Sequence, residues 1–218
     1  MTSSISTEAG EVSAVLEGPE RFDPLLVLAH GAGGGMRNPF MDTIASGLAA
    51  RGIDVLRFNF AFSERGKKSP DKAPVLEQTL RDVVEHARAE LSPTRLFAGG
   101  KSMGGRIGSQ VVAQGMGVDG LVFLGYPLHP PGRPERLRAD HLADIEVPML
   151  FVEGTRDPFC PLETLEAVRK GLKARTTVAV IDDGDHSFRV RKTSGRSTPG
   201  AWAEVVDAVA TWLAGPSG

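Results

Sequence analysis

The chain has a single cysteine, no excess of either charge and no long hydrophobic run. Cys160 has no second cysteine to pair with, which excludes an internal disulfide and favours a reducing compartment. The 25 basic and 27 acidic residues give a formal net charge of -2, so no global positive field attracts nucleic acid or an anionic membrane. No apolar run approaches the ~20 residues that span a bilayer. We therefore expect a cytoplasmic protein that is a monomer or homodimer and acts on small molecules.

The length favours one undivided domain. A chain of 218 residues is long enough for one substantial core, and neither a linker nor an internal repeat divides it. Residues 1–10 are polar and lack both the basic start and the apolar segment of a signal peptide. We predict a disordered N-terminal tail over 1–10, a single domain over 11–214 and a C-terminal tail over 215–218.

Short apolar runs alternate with helical patterns along the chain. The runs are suited to strands buried on both faces and lie at Leu25–Ala29, Ile53–Phe58, Arg95–Ala98, Gly120–Leu124, Met149–Val152 and Val178–Ile181, with an edge strand at Val12–Leu16. The predicted helices are Pro39–Ala50, Pro74–Leu91, Met103–Gln114, Pro161–Lys173 and Ala201–Leu213. This alternation predicts a mostly parallel sheet of about six to seven strands, flanked by helices on both faces, with ligands at the carboxyl ends of the strands.

One of these strand ends carries a serine between glycines. Gly100-Lys101-Ser102-Met103-Gly104 follows a buried strand and precedes a helix, as in a nucleophile elbow. There the Met103 N–H, at the start of the helix, is available to an oxyanion. A phosphate-binding P-loop is excluded because Arg95 stands where that motif requires glycine. Taken alone, the glycines leave a plain turn as the alternative.

A second glycine-rich loop follows the Leu25–Ala29 strand. In His30-Gly31-Ala32-Gly33, the Ala32 amide, with Gly33 as the alternative, is the predicted second donor of an oxyanion hole. A dinucleotide fingerprint is disfavoured because Met36 stands at its last glycine position. We predict that His30 holds the loop by hydrogen bonds.

Two further strand ends supply a carboxylate and a base. Asp157 follows the Met149–Val152 strand, where an Asp-Pro turn is the alternative, and His186 follows the Val178–Ile181 strand on a flexible acidic loop. A serine nucleophile needs a base to take its proton and a carboxylate to orient that base. Ser102, Asp157 and His186 fill these roles and occur in the chain order Ser, Asp, His.

Through these motifs the chain resembles the α/β-hydrolase superfamily over roughly residues 25–213. Gly99–Arg106 and Gly125–Gly132 are similar to a compact, lidless, dienelactone-hydrolase-like group, which includes a testis-expressed protein and a domain of a histone acetyltransferase complex subunit. The resemblance implies the mechanism of a serine hydrolase without naming its substrate. Dienelactone hydrolases proper carry cysteine at the elbow, whereas this chain carries Ser102.

The segment 125–148 is too short for a separate cap domain, so the sequence predicts an open cleft. Tyr126, His129 and Lys101 are the candidates for contacting substrate. Two loops rich in basic residues could attract an anionic ester or thioester, so the charge of the substrate is left open. Their members are Arg65, Lys67, Lys68, Arg189, Arg191, Lys192 and Arg196.

These features together predict a serine esterase or thioesterase that acts on small substrates without cofactor or metal. Ser102 attacks, His186 moves the proton, Asp157 orients His186, and the Met103 and Ala32 amides bind the oxyanion. The alternatives are a non-catalytic interaction domain of the same fold, or a peptidase, acyltransferase or lyase.

Overall fold

The chain folds around one sheet whose strands alternate with helices, as the sequence predicts. The computed structural model describes residues 2–215, and residue 1 and the predicted tail residues 216–218 lie outside that range. The strands within it are β1 Thr2–Thr7, β2 Gly10–Glu17, β3 Leu25–Ala29, β4 Asp54–Phe58, β5 Leu96–Lys101, β6 Gly120–Leu124, β7 Met149–Gly154 and β8 Thr176–Ile181. The helices are α1 Pro39–Ala49, α2 Ala61–Glu64, α3 Ala73–Leu91, α4 Met103–Ala113, α5 Leu162–Arg169 and α6 Thr198–Ala214.

The sheet has the order β1-β2-β4-β3-β5-β6-β7-β8. From β4 to β8 neighbouring strands pair in parallel, whereas β1 and β2 are antiparallel to their neighbours. The strand order reverses at β3, which lies between β4 and β5. In a parallel sheet the crevice at such a reversal is where ligands bind, so the loops after β3 and β5 occupy the functional position.

Apolar side chains cover both faces of the sheet. α3 and α4 pack on one face, and α1 and α6 pack on the other. The predicted apolar stripe of α3 is buried as expected, and it comprises Leu76, Leu80, Val83, Val84 and Ala87. In the described part of the chain, no helix is both long and apolar enough to cross a bilayer.

The prediction of a disordered tail over 1–10 is wrong within the described range. Thr2–Thr7 forms β1, which pairs with β2 in an antiparallel hairpin, so residues 2–215 hold eight strands. Ile5 is opposite Val12, and its side chain is buried in the core. One apolar residue among serines and threonines gives almost no hydrophobic pattern, although the alternation needed for an edge strand is present.

The connection between β6 and β7 carries no cap. Residues 131–137 are exposed, and the only regular element described there is a 3₁₀ helix at Asp140–Asp144. The Arg138 N–H donates to the Leu128 carbonyl at 2.7 Å, which folds the connection back on itself. The site therefore stays open to solvent on this side.

The N-terminus of α4 approaches β3 unusually closely. An added Cβ at Gly104 would stand 2.5 Å from the Ala29 carbonyl oxygen, and one at Gly100 would stand 2.3 Å from the same atom. Real Cβ atoms do not come this close to backbone oxygen. Glycine is therefore required on both sides of Ser102 for β5 and α4 to pack against β3.

We predict that Gly104→Ala destabilises the protein by about 2–3 kcal/mol, because backbone has to move to admit the methyl group. Gly108→Ala in the same helix is the matched control. Its Cβ would meet only Leu121 and Leu80 side chains at 3.8 and 4.0 Å, so alanine should be neutral or stabilising there. Urea unfolding of the two variants measures the difference, and equal stability would contradict the steric argument.

Candidate active site

Ser102 lies at a sharp turn between β5 and α4. Its backbone has φ 51° and ψ -110°, a conformation that side-chain-bearing residues rarely adopt. The Ser102 N–H donates to the Leu124 carbonyl at 3.1 Å, which fixes the turn against the end of β6. The turn leaves the side chain partly exposed at the carboxyl edge of the sheet.

Ser102, His186 and Asp157 form a continuous chain of hydrogen bonds. His186 Nε2 is 2.9 Å from Ser102 Oγ, and His186 Nδ1 is 2.6 Å from Asp157 Oδ2. Because the carboxylate accepts, Nδ1 carries the proton and Nε2 is left to accept from the serine hydroxyl. Asp157 is 4% exposed, and its Oδ1 accepts the Phe159 N–H at 2.8 Å.

Close packing of two strand ends brings Asp157 to His186. The Thr155 N–H donates to the Ile181 carbonyl at 3.1 Å, and the Arg156 N–H donates to the Gly184 carbonyl at 2.9 Å. A Cβ at Gly154 would stand 2.2 Å from that Gly184 oxygen. The loops after β7 and β8 are therefore joined backbone to backbone before they reach the site.

The His186 loop is held at several points, contrary to the expectation of a flexible loop. Asp183 accepts the backbone N–H and the side-chain Nε–H of Arg191 at 2.7 and 2.6 Å, and these bonds lower the pKa of its carboxyl group. Beyond His186, the buried Phe188 ring stacks on Phe40 with centroids 5.5 Å apart. The Trp202 indole N–H donates to the Ser187 carbonyl at 3.0 Å.

The glycine-rich loop after β3 lies opposite the serine. His30 is fully buried, accepts the Phe60 N–H at Nε2 and donates from Nδ1 to the Gly31 carbonyl, which confirms its predicted structural role. Burial lowers the His30 pKa, which favours the neutral ring these bonds require. A Cβ at Gly31 would stand 3.7 Å from Ser102 Cβ, so this loop directly borders the serine.

A buried arginine anchors the far end of the same loop. Arg57 is 1% exposed, and its guanidinium donates to the Met36 carbonyl at 2.6 Å and to Asp42 and Glu17 at 2.5 Å each. Asn59 Oδ1 accepts the Met36 N–H at 2.8 Å. These bonds hold the loop that carries the candidate oxyanion donor.

Two clefts meet at Ser102 and His186. The α1 cleft, about 400 Å³, runs toward the N-terminus of α1 and includes Gly33, Phe40 and Arg189. The α3 cleft, about 290 Å³, runs toward the N-terminus of α3, and its lining includes Leu76, Met103, Arg106, His129, Arg138 and Phe159. Ala32 borders both clefts. A larger cleft of about 590 Å³ lies at the opposite edge of the sheet, away from these groups.

The predicted oxyanion donors occupy suitable positions. Met103 is the first residue of α4, where a backbone N–H has no carbonyl partner within the helix. Ala32 is exposed beside Ser102 at the junction of the two clefts, and Gly33 borders only the α1 cleft. The helix terminus adds a partial positive charge at the same point.

Two of the three predicted substrate contacts border a cleft at Ser102, since His129 lines the α3 cleft and Lys101 lines the α1 cleft. Tyr126 is fully buried, and its hydroxyl group lies 3.1 Å from Ser109 Oγ, inside the core. The Lys101 Nζ is buried without a hydrogen-bond partner among residues 2–215, so only the rest of that side chain borders the α1 cleft. The expectation for Tyr126 is therefore wrong, because a position beside a strand end does not determine the direction of a side chain. Contacts to substrate from His129 and Lys101 stay predictions.

Lys101 also belongs to a buried cluster of titratable side chains that the sequence reasoning missed. A Cβ at Gly125 would stand 2.9 Å from Lys101 Nζ and 3.4 Å from Asp157 Oδ2, so the ammonium lies close to the buried carboxylate. Fully buried Glu153 accepts the Tyr126 N–H at 2.7 Å, and burial raises its pKa well above the usual range. The sequence signal for this cluster was Lys101 itself, which ends a strand otherwise made of apolar residues and glycine.

A second serine–histidine pair lies within the core. Ser109 Oγ is 2.8 Å from His141 Nε2 and also donates to the Arg106 carbonyl at 2.7 Å. Ser109 is fully buried in the middle of α4, where its backbone is helical and no cleft reaches it. This pair therefore stabilises the packing of α4 against the 3₁₀ helix.

Three of the seven basic residues in the predicted loops are paired with carboxylates. Arg65 binds Asp71, Arg191 binds Asp183, and Arg196 binds Glu204. Only Arg189 of that set borders a cleft at the serine. Within residues 2–215, no three His, Cys, Asp or Glu side chains are grouped so as to hold a metal ion.

We predict that Lys101→Met changes how stability depends on pH. Burial lowers the Lys101 pKa from 10.5 to about 8, so between these values the unfolded chain binds a proton that the folded chain lacks. Folded wild type therefore gains stability as pH rises through this window, on the order of 3 kcal/mol, and Lys101→Met does not.

Urea unfolding at about pH 7 and about pH 10 measures this difference. Lys173→Met is the matched control because Lys173 is exposed, and it should follow wild type. Identical pH dependence of wild type and Lys101→Met would show that folding does not lower the Lys101 pKa.

Comparison with known proteins supports the fold. The chain is 26% identical to the uncharacterised protein YfhR of Escherichia coli O157:H7 over 179 residues, which are 74% of this chain and 62% of that protein. An α/β serine hydrolase homologue from Coxiella burnetii superposes with a TM-score of 0.77 at 19% identity, over 98% of this chain and 97% of the other. A lidless serine hydrolase from Xanthomonas campestris gives 0.76 at 22% identity, over 100% and 96%.

A dienelactone hydrolase from Anabaena variabilis superposes with a TM-score of 0.78 at 19% identity, over 98% of this chain and 96% of the other. At the level of the family, a model described as an alpha/beta hydrolase domain matches residues 22–214. The matched range contains strands β3–β8 and helices α1–α6. The protein therefore belongs to the α/β-hydrolase domain family.

Proposed function

We propose that this protein is a serine hydrolase that cleaves carboxylic ester or thioester bonds of small substrates. The observation that carries the proposal is the Ser102–His186–Asp157 chain of hydrogen bonds, with the serine at a strained turn between two clefts. A serine that served only packing would gain nothing from a positive φ. Structural neighbours described as serine hydrolases and esterases are consistent with it.

Each group has a role in the proposed reaction. Ser102 Oγ attacks the carbonyl carbon while its proton passes to His186 Nε2, and Asp157 stabilises the imidazolium that forms. The Met103 and Ala32 N–H groups bind the oxygen that becomes negative. His186 then protonates the departing alcohol or thiol, and a water molecule, deprotonated by His186, hydrolyses the acyl-enzyme.

The surroundings favour a small substrate and open access. The β6–β7 connection carries no cap, and both clefts open at Ser102. A peptidase that selects long chains would need additional structure around the clefts to hold them, so we favour small esters or thioesters as substrates. We place the reaction in the cytoplasm. No cofactor or metal takes part in the proposed steps.

We predict that a fluorophosphonate probe labels wild type and Ser109→Ala but not Ser102→Ala. Both serines are hydrogen-bonded to a histidine, but only Ser102 borders a cleft and a pair of oxyanion donors. Labelling followed by gel fluorescence, with thermal melting to confirm folding, measures this. Equal labelling of all three proteins, or none of well-folded wild type, would contradict the proposal.

We predict that Asp157→Asn lowers kcat for a p-nitrophenyl ester by about 10³–10⁴-fold, because an amide no longer stabilises the imidazolium or enforces its tautomer. Asp185→Asn is the matched control. Asp185 precedes His186, and its Oδ1 only accepts the Ser187 and Arg189 backbone N–H groups, which an amide oxygen also does. A loss of similar size in both variants would contradict the role given to Asp157.

A further inference from the structure

We propose that the α3 cleft binds a carboxylate of the substrate between Arg106 and Arg138. This inference rests on the proposed function, since it assigns a substrate class to the same serine. Arg106 lies on α4, one turn after Ser102, and Arg138 lies on the β6–β7 connection. The two side chains come from separate elements and line one cleft with Ser102 and His186.

Neither guanidinium has a carboxylate partner among residues 2–215. Arg106 donates from Nη1 to the neutral Gln110 at 2.9 Å, and its Nε is buried without a hydrogen-bond partner. Arg138 is tied through its backbone alone, by its N–H to Leu128 and its carbonyl oxygen to the Tyr126 hydroxyl group. By contrast, Arg57 and Arg65, which hold loops in place, both bind carboxylates.

The other titratable side chains that line the α3 cleft are not paired with Arg106 or Arg138. Asp71 lines it, but both of its oxygens accept from Arg65, at 2.7 and 2.6 Å. His129 is engaged through Nδ1 with the Pro130 carbonyl, and His186 is engaged in the triad. Among residues 2–215, neither of these two positive charges in the cleft is paired with a carboxylate.

Mutual repulsion is consistent with this imbalance. Burial, together with the positive charges of Arg106 and Arg136, lowers the pKa of Arg138. Burial and the charge of Arg106 also lower the pKa of His141. A bound anion would relieve this repulsion and supply the negative charge that neither guanidinium has as a partner.

The lining specifies the rest of the ligand. Guanidinium groups match the two oxygens of a carboxylate in bidentate geometry. The remaining wall is largely apolar and includes Leu76, Met103, Pro127 and Phe159. The fitting substrate is therefore a small ester or thioester with a short hydrocarbon part that ends in a carboxylate, such as a half-ester of a dicarboxylic acid.

Two matched pairs of esters test this inference. Mono-p-nitrophenyl adipate is compared with p-nitrophenyl hexanoate, which places the charge on the acyl part. 4-Acetoxybenzoate is compared with its methyl ester, which places it on the leaving group. We expect wild type to prefer the charged member of at least one pair by about tenfold or more in kcat/KM, less so at high salt.

Arg138→Gln and Arg106→Gln should each reduce that preference about tenfold and leave turnover of the neutral ester within about threefold. Arg136→Gln is the matched control, since it removes the same charge from an exposed position in the same connection. It should keep most of the preference. The neutral ester serves as the internal measure of folding in every variant.

Turnover of neutral esters with no preference in either pair would overturn the inference and leave the proposed function standing. A loss in Arg136→Gln equal to that in Arg138→Gln would also overturn it, because a diffuse field would then explain the preference. If well-folded wild type hydrolyses neither pair and Ser102 is not labelled by a fluorophosphonate, the proposed function itself fails.

Discussion

The site depends on one steric constraint, the contact of the Ala29 carbonyl with Gly100 and Gly104. Both glycines lie where a Cβ would overlap that oxygen, so β5 and α4 approach β3 at the distance of backbone contact. The same approach turns the chain sharply at Ser102 and places the start of α4 beside the loop after β3. The nucleophile and both candidate oxyanion donors therefore owe their arrangement to backbone packing, which side-chain motion does not disturb.

Charge beneath the site adds a second constraint. Lys101 and Glu153 are buried close to Asp157. Burying such groups destabilises the fold unless they act on one another. The α3 cleft adds Arg106 and Arg138, which form no ion pair within residues 2–215. Buried charge also occurs away from the serine, at Arg57 and Asp54, and the rest of both core clusters is mainly apolar.

Sequence reasoning located the strands and the order of Ser102, Asp157 and His186, because buried parallel strands leave short apolar runs and because function follows their carboxyl ends. It missed β1, where Ile5 is the only apolar residue to mark an edge strand. It also misplaced the side chain of Tyr126 and did not foresee that the Nζ of Lys101 is buried. Both follow or end buried strands, and whether such a residue points outward or inward is decided by packing against distant elements.

The central claim is that Ser102 Oγ becomes acylated while the Met103 and Ala32 N–H groups bind the oxyanion. The most direct measurement is peptide mapping by mass spectrometry after rapid acid quench of wild type mixed with a p-nitrophenyl ester. The account predicts an acyl group on the peptide that contains Ser102, formed in step with a burst of p-nitrophenol and absent in Ser102→Ala. Ester turnover with no acyl adduct on Ser102, or with the adduct on another residue, would contradict it.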